Sequence, residues 1–159
     1  MNIQVKRQRP SKGDYYLGIA KAVAERSTCL RRRYGAVIVK DDEIVGTGYN
    51  GAPRGTINCC DSGVCTREAL NIPKGERYEL CLAVHAEQNA LLSVSRKDCI
   101  GATMYIVGIE NDGSYANPRP CLICSKMIMN SGMSYVVGID ACGIKYIEAV
   151  ENLNIQGEK

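Results

Sequence analysis

The stretch "CLAVHAEQNALLSVSR", residues 81–96, carries apolar side chains at helical spacing together with the chain's one histidine, His85. That period predicts a helix over 81–96 with His85 in its first turn. Two residues further on, Glu87 stands near the imidazole but points differently. Next comes "ATMYIVGIE" (102–110), apolar and β-branched, which reads as a buried strand. "PCLICSKMIMNSG" (120–132) follows, a second helix opened by Pro and closed by Gly. A right-handed crossover through the strand brings both helix N-termini to one edge of a sheet.

Working outward, "DYYLGIAKAVAERSTCL" (14–30) predicts a helix with Asp14 as N-cap. "YGAVIVK" (34–40) and "IVGTGYN" (44–50), joined at "DDE", predict a hairpin. Residues 51–77 hold Gly, Pro and three Cys without a period, and read as a long loop held by something. "MSYVVGID" (133–140) is a further strand, and "IKYIEAVENLNI" a short strand and helix. The order predicts one α/β domain over 14–155, its sheet covered on both faces by helices, behind a basic tail at 1–13.

The 159 residues are enough for a core without covalent staples. With 45% hydrophobic and 23% charged residues, disorder and a bulk membrane protein are excluded. No run reaches the ~20 apolar residues of a membrane span, and the N-terminus lacks the apolar core of a secretion signal. The expected location is the cytoplasm. Net charge is +3, concentrated at Lys6, Arg7, Arg9 and Lys12 and at Arg31, Arg32 and Arg33. These are either solvated charges or an attraction to phosphate. Nine cysteines in a reducing compartment suggest metal binding or catalysis. With no Phe and no Trp, aromatic stacking falls to nine tyrosines.

Cys121 and Cys124 form a CxxC at a helix start. As a redox pair it would resemble thioredoxin-type motifs. As a metal site it needs a third ligand, and His85 supplies one. Two thiolates and a neutral imidazole balance Zn²⁺ and leave one position open for water. Glu87 can then accept that water's proton and return it to a leaving nitrogen.

His-x-Glu followed by Pro-Cys-x-x-Cys is the known signature of zinc-dependent nucleobase deaminases. With "GAVIV", "TGYNGAPRG", "HAEQNAL" and "PCLICSKMI" as anchors over about residues 14–140, the chain resembles the deoxycytidylate (dCMP) deaminases of the cytidine deaminase-like superfamily. The resemblance implies a three-layer α/β/α fold around a five-stranded mixed sheet. It implies hydrolysis of dCMP to dUMP and ammonia, a zinc-bound hydroxide attacking C4 while Glu87 shuttles protons. It places catalytic zinc on His85, Cys121 and Cys124, the base carbonyl on the Ala86 backbone N–H and the sugar on Asn50, which is also a plain turn former. Arg96 becomes either a 5′-phosphate contact or a solvated helix-end arginine. Relatives with a second, structural zinc suggest Cys29, Cys59, Cys65 and Cys81 as its ligands, Cys60 being an alternative to Cys59. Otherwise these are buried free thiols, as Cys99 and Cys142 are expected to be.

The segment "YIVGIENDGSYANPRPC" is longer than in the family, which makes Tyr115 a candidate stacking aromatic and Arg119 a second anion contact. Some relatives are hexamers that respond to dCTP and dTTP, so a homo-oligomer with those effectors is implied. The competing readings are an editing deaminase acting on tRNA or single-stranded DNA, disfavoured by "GYNG-x-P-x-G" and the small charge, and a non-catalytic zinc or thiol protein.

Overall fold

The computed structural model describes residues 6–157. Helix α1 spans Lys12–Ala24, and its cap is Ser11, not Asp14, because the Ser11 hydroxyl accepts the Asp14 backbone N–H at 3.1 Å. The expected basic tail of residues 1–13 therefore ends at this cap. Its first five residues lie outside the described ones, and Lys6, Arg7 and Arg9 are exposed. The helix stops short of the expected residue 30, since the Ser27 hydroxyl bonds Asn50 Oδ1 at 2.6 Å and draws the chain towards the sheet.

Strands β1 (Arg32–Lys40) and β2 (Glu43–Tyr49) form the expected hairpin. Its turn residues Asp41 and Asp42 have φ of 48° and 64°. Two left-handed residues in succession match the twist of paired strands. The expected loop after β2 contains two single helical turns, α2 (Cys59–Ser62) and α3 (Thr66–Ala69), too short to show a period. Gly51 and Val84 exchange backbone hydrogen bonds of 3.1 and 2.8 Å and close this segment at its base.

The helix expected over 81–96 is two: α4 (Ala86–Leu92) and α5 (Arg96–Cys99). Ser95 starts the second by accepting the Asp98 N–H at 3.3 Å. Strands β3 (Thr103–Glu110) and β4 (Tyr115–Ala116), helix α6 (Leu122–Ser131) and strands β5 (Tyr135–Ile139) and β6 (Lys145–Ala149) complete the order. The helix expected after β6 is a single 3₁₀ turn, Val150–Asn152.

The sheet runs β2-β1-β3-β5-β6, and β4 pairs with the far end of β3, which makes six strands where five were expected. Only β3 and β5 are parallel, joined across α6; the other pairs are antiparallel. Alternation along β1 builds both halves of the core. Val37 and Val39 pack with Leu17, Ala20 and Ala24 of α1, while Ala36 and Ile38 face Ala86, Ala90 and Ile128 of α4 and α6. This is a three-layer α/β/α arrangement. Helix α4 lies directly on β2, where a Cβ at Gly48 would fall 2.2 Å from the Ala90 nitrogen. Among the described residues no helix is long and apolar enough to cross a membrane.

Candidate metal centre

Each residue of "HAEQN" has a distinct task. His85 is the N-cap of α4, one position before the first turn that the sequence suggested. Its backbone N–H donates to Gln88 Oε1 at 2.9 Å, which fixes the start of the helix. Asn89 donates to the Tyr49 carbonyl at 2.7 Å, tying the same turn to the end of β2. Ala86 is fully buried, and Glu87, 7% exposed, sits beside it. Cys121 is likewise an N-cap, of α6, but through its side chain, the sulfur accepting the Cys124 N–H at 3.4 Å.

The two caps meet. His85 Nδ1 lies 3.6 Å from Cys121 Sγ and 3.4 Å from Cys124 Sγ. A tetrahedral zinc with Zn–S of about 2.3 Å and Zn–N of about 2.0 Å separates sulfur and nitrogen ligands by about 3.5 Å. The three donors therefore already have the spacing of one ion's coordination shell. Among the described residues this is the one group of three or more His, Cys, Asp or Glu with ligand atoms within 4.8 Å of one another. All nine cysteines are free, so Cys121 and Cys124 are not a disulfide.

Of the three donors, Cys121 is the one pushed towards its metal-binding thiolate form. The hydrogen bond from Cys124 holds Cys121 down at about 4 against the effect of burial, and the adjacent imidazole helps. That bond and burial push Cys124 up. His85 is raised, chiefly by Cys121. Burial raises the Glu87 carboxyl, although its own backbone hydrogen bond and His85 oppose the shift.

A pocket opens from this group, and its wall includes Asn50, Ala86, Glu87 and Arg119 as expected. Asn50 is heavily engaged: Oδ1 accepts the Tyr34 N–H at 2.8 Å and the Ser27 hydroxyl, while Nδ2 donates to the Arg32 carbonyl at 2.9 Å. No Asn-Gly turn forms here, since neither Asn50 nor Gly51 has positive φ; the side chain instead ties the end of β2 to β1 and to the link before it, and one Nδ2 hydrogen remains for a ligand.

Two expected contacts are corrected. Arg96 is exposed at the start of α5, beyond the opposite end of α4, and does not line the pocket. The break after Leu92 carries it away. Tyr115 packs with the α1 cluster, the Lys21 ammonium 5.5 Å from its ring, because β4 directs it to the other face of the sheet.

The sequence reading missed the wall built from residues 67–78. Arg67, 5% exposed, donates to the Pro73 carbonyl at 2.9 Å and also to the Glu76 carbonyl. Its guanidinium lies 4.8 Å from the Tyr78 ring, which meets His85 edge-on at 6.0 Å. Lys74 stands beside them. Only the basic residues of "REALNIPKGERY" hinted at this. Arg31 and Arg32 also line the pocket and pair with Glu68 and Glu110 at 3.3 and 2.8 Å, whereas Arg33, one strand position on, pairs with Glu25 and does not line it.

The four thiols expected to hold a second ion do not close into a cage. Cys29, Cys59, Cys65 and Cys81 share one neighbourhood, since all the others act on Cys59, which burial above all pushes up. No three of them reach the spacing of the His85 group. Cys59 is buried and Cys60 exposed, which separates those alternatives. Cys99 is a buried free thiol as expected, and Cys142 an exposed one.

The deoxycytidylate deaminase of Mycobacterium phage D29 is 44% identical over 134 residues, covering 81% of this chain and 94% of that protein. The deoxycytidylate deaminase of Schizosaccharomyces pombe is 40% identical over 82% of this chain, but the match spans only 38% of the yeast protein. The crystal structure of dCMP deaminase from cyanophage S-TIM5 in complex with dCMP and dUMP superposes with a TM-score of 0.58 at 27% identity, covering 83% of each chain. The family model for the cytidine and deoxycytidylate deaminase zinc-binding region matches residues 10–139, which include both helix caps and the glutamate between them. A zinc-spaced His-Cys-Cys group and this match lead to one assignment: the chain belongs to the cytidine and deoxycytidylate deaminase zinc-binding family.

Proposed function

We propose that the protein is a deoxycytidylate deaminase, converting dCMP and water to dUMP and ammonia. The observation that carries this reading is the His85–Cys121–Cys124 donor set, with the Glu87 carboxylate buried beside it, at the foot of a pocket walled by basic residues. The named activities of the phage relatives support the same substrate.

Zinc, when bound, supplies a Lewis acid that acidifies water at neutral pH. Glu87 accepts the proton of the water that attacks C4 of the base and returns it to the departing nitrogen. Its burial favours this role, since a carboxyl raised above its ordinary range is the better proton acceptor. The Ala86 N–H holds the base carbonyl, and Asn50 offers its remaining hydrogen to the sugar. Arg31, Arg32 and Arg119, each oriented by an ion pair with Glu68, Glu110 or Glu148, and Lys74 line the mouth where a 5′-phosphate would bind.

A second zinc is part of the proposal, drawing Cys29, Cys59, Cys65 and Cys81 together. Assembly as a homo-oligomer with dCTP and dTTP as effectors completes the reading.

The test is a panel of dCMP, CMP, deoxycytidine and a structured tRNA, assayed with one zinc-loaded preparation. Preferred turnover of dCMP is expected. Deamination of the tRNA with dCMP untouched would mean an editing enzyme instead.

A further inference from the structure

The family match ends at residue 139, yet the chain continues into β6, antiparallel to β5. Tyr146 and Glu148 lie two residues apart on that strand and so share one face. Both meet Arg119. The guanidinium carbon lies 4.5 Å from the Tyr146 ring centroid, and Nη1 is 2.5 Å from Glu148 Oε2. From the other side, the Arg119 backbone N–H donates to Asn117 Oδ1 at 3.1 Å, and the Asn117 carbonyl accepts the Tyr34 hydroxyl at 3.2 Å.

We propose that Tyr146 and Glu148 are positioning residues that hold Arg119 at the pocket mouth as the contact for the substrate's 5′-phosphate, and so set the preference for nucleotide over nucleoside. The inference rests on the dCMP reading above. Three observations and one general argument carry it. Arg119 lines the same pocket as His85, Glu87 and Cys121. Its ion pair with Glu148 is half exposed, 53% and 25%, so it contributes little stability and serves chiefly to orient the side chain. Only one of the five guanidinium N–H donors is engaged among the described residues, and a planar fork held by a ring suits a phosphate. An arginine already held in place loses less freedom when it binds.

The platform is built for the ring, not the hydroxyl. Tyr146 lies over Gly138 of β5, where a Cβ would fall 2.8 Å from three of its atoms. Its hydroxyl is buried and has no hydrogen-bond partner among the described residues. A phenylalanine should therefore serve as well, whereas an aliphatic side chain should not.

The test measures kcat and KM for dCMP, and kcat/KM for deoxycytidine, on zinc-loaded wild-type, Tyr146→Leu, Tyr146→Phe, Glu148→Gln and Arg119→Gln proteins. Tyr146→Leu and Arg119→Gln should each raise KM for dCMP by about tenfold at little changed kcat, and leave deoxycytidine nearly unaffected. Glu148→Gln should raise KM by less, since the ring remains. Tyr146→Phe should keep the wild-type KM. The proposal fails if KM for dCMP is unchanged in both Tyr146→Leu and Arg119→Gln, if kcat falls alone, or if Tyr146→Phe behaves like Tyr146→Leu. Should Tyr146→Leu not fold, the exposed Arg119→Gln and the ring-preserving Tyr146→Phe still decide. Wild-type protein with no activity on dCMP would instead overturn the functional reading itself.

Discussion

Glu87 and Asn50 are both buried polar side chains in the pocket wall, but they answer to different demands. Glu87 ligates nothing in the donor set, so Glu87→Gln should retain full zinc by metal analysis while kcat falls by about 10²–10⁴-fold, the usual contribution of a placed proton carrier. Asn50 joins Ser27, Tyr34 and Arg32. Asn50→Ala leaves those groups unpaired and should lower unfolding free energy by about 2–3 kcal/mol in a denaturant titration, besides weakening substrate binding. His85, Cys121, Cys124 and Glu87 were legible in sequence because metal chemistry restricts both residue type and spacing. Arg67, Lys74 and Tyr78 were not, because anion contacts and aromatic packing demand neither.

Among the elements, α4 depends most on its neighbour. It rests on β2 through Gly48, and its N-cap is the histidine. Gly48→Ala puts a methyl against the Ala90 nitrogen and should destabilise the fold by about 1–3 kcal/mol, read as a lowered denaturant midpoint. The same change should reduce zinc affinity, since any shift of α4 moves His85. Strands β1, β2, β3 and β5 were readable from their β-branched runs. Helix ends were not, because they turn on local hydrogen bonds: Ser11 captures the start of α1, and Ser95 splits what periodicity joined into one helix. The two-residue β4 carries no pattern at all, and with it went the placement of Tyr115.

At the scale of the whole molecule, sheet and helices fix the first zinc site from two directions, whereas the second group draws three thiols from the segment between β2 and α4 and the fourth, Cys29, from the link between α1 and β1. Metal analysis should find two zinc ions per chain in wild-type protein and one in Cys65→Ser, with lower thermal stability. A chelator should lower the melting temperature of wild type, because an ion bound only by the folded state adds its binding free energy to folding. One zinc in both proteins would remove the second site. Layering was legible from the order of elements, and the sixth strand was the only addition to the sheet. How closely the cysteines approach was not legible, since spacing along a segment without a period says nothing about distance in space.

The paired hydrogen bonds between Gly51 and Val84 bring the chain back, just before α4, to the point where it left β2. What lies between is in effect a cassette. Grafting the corresponding piece of a relative between those two residues should yield a folded protein with the His85 ion still in place and the wall around Arg67, Lys74 and Tyr78 exchanged, while the nucleotide preference held by Arg119 stays with the host. Catalytic floor and recognition wall can thus diverge at different rates within one gene.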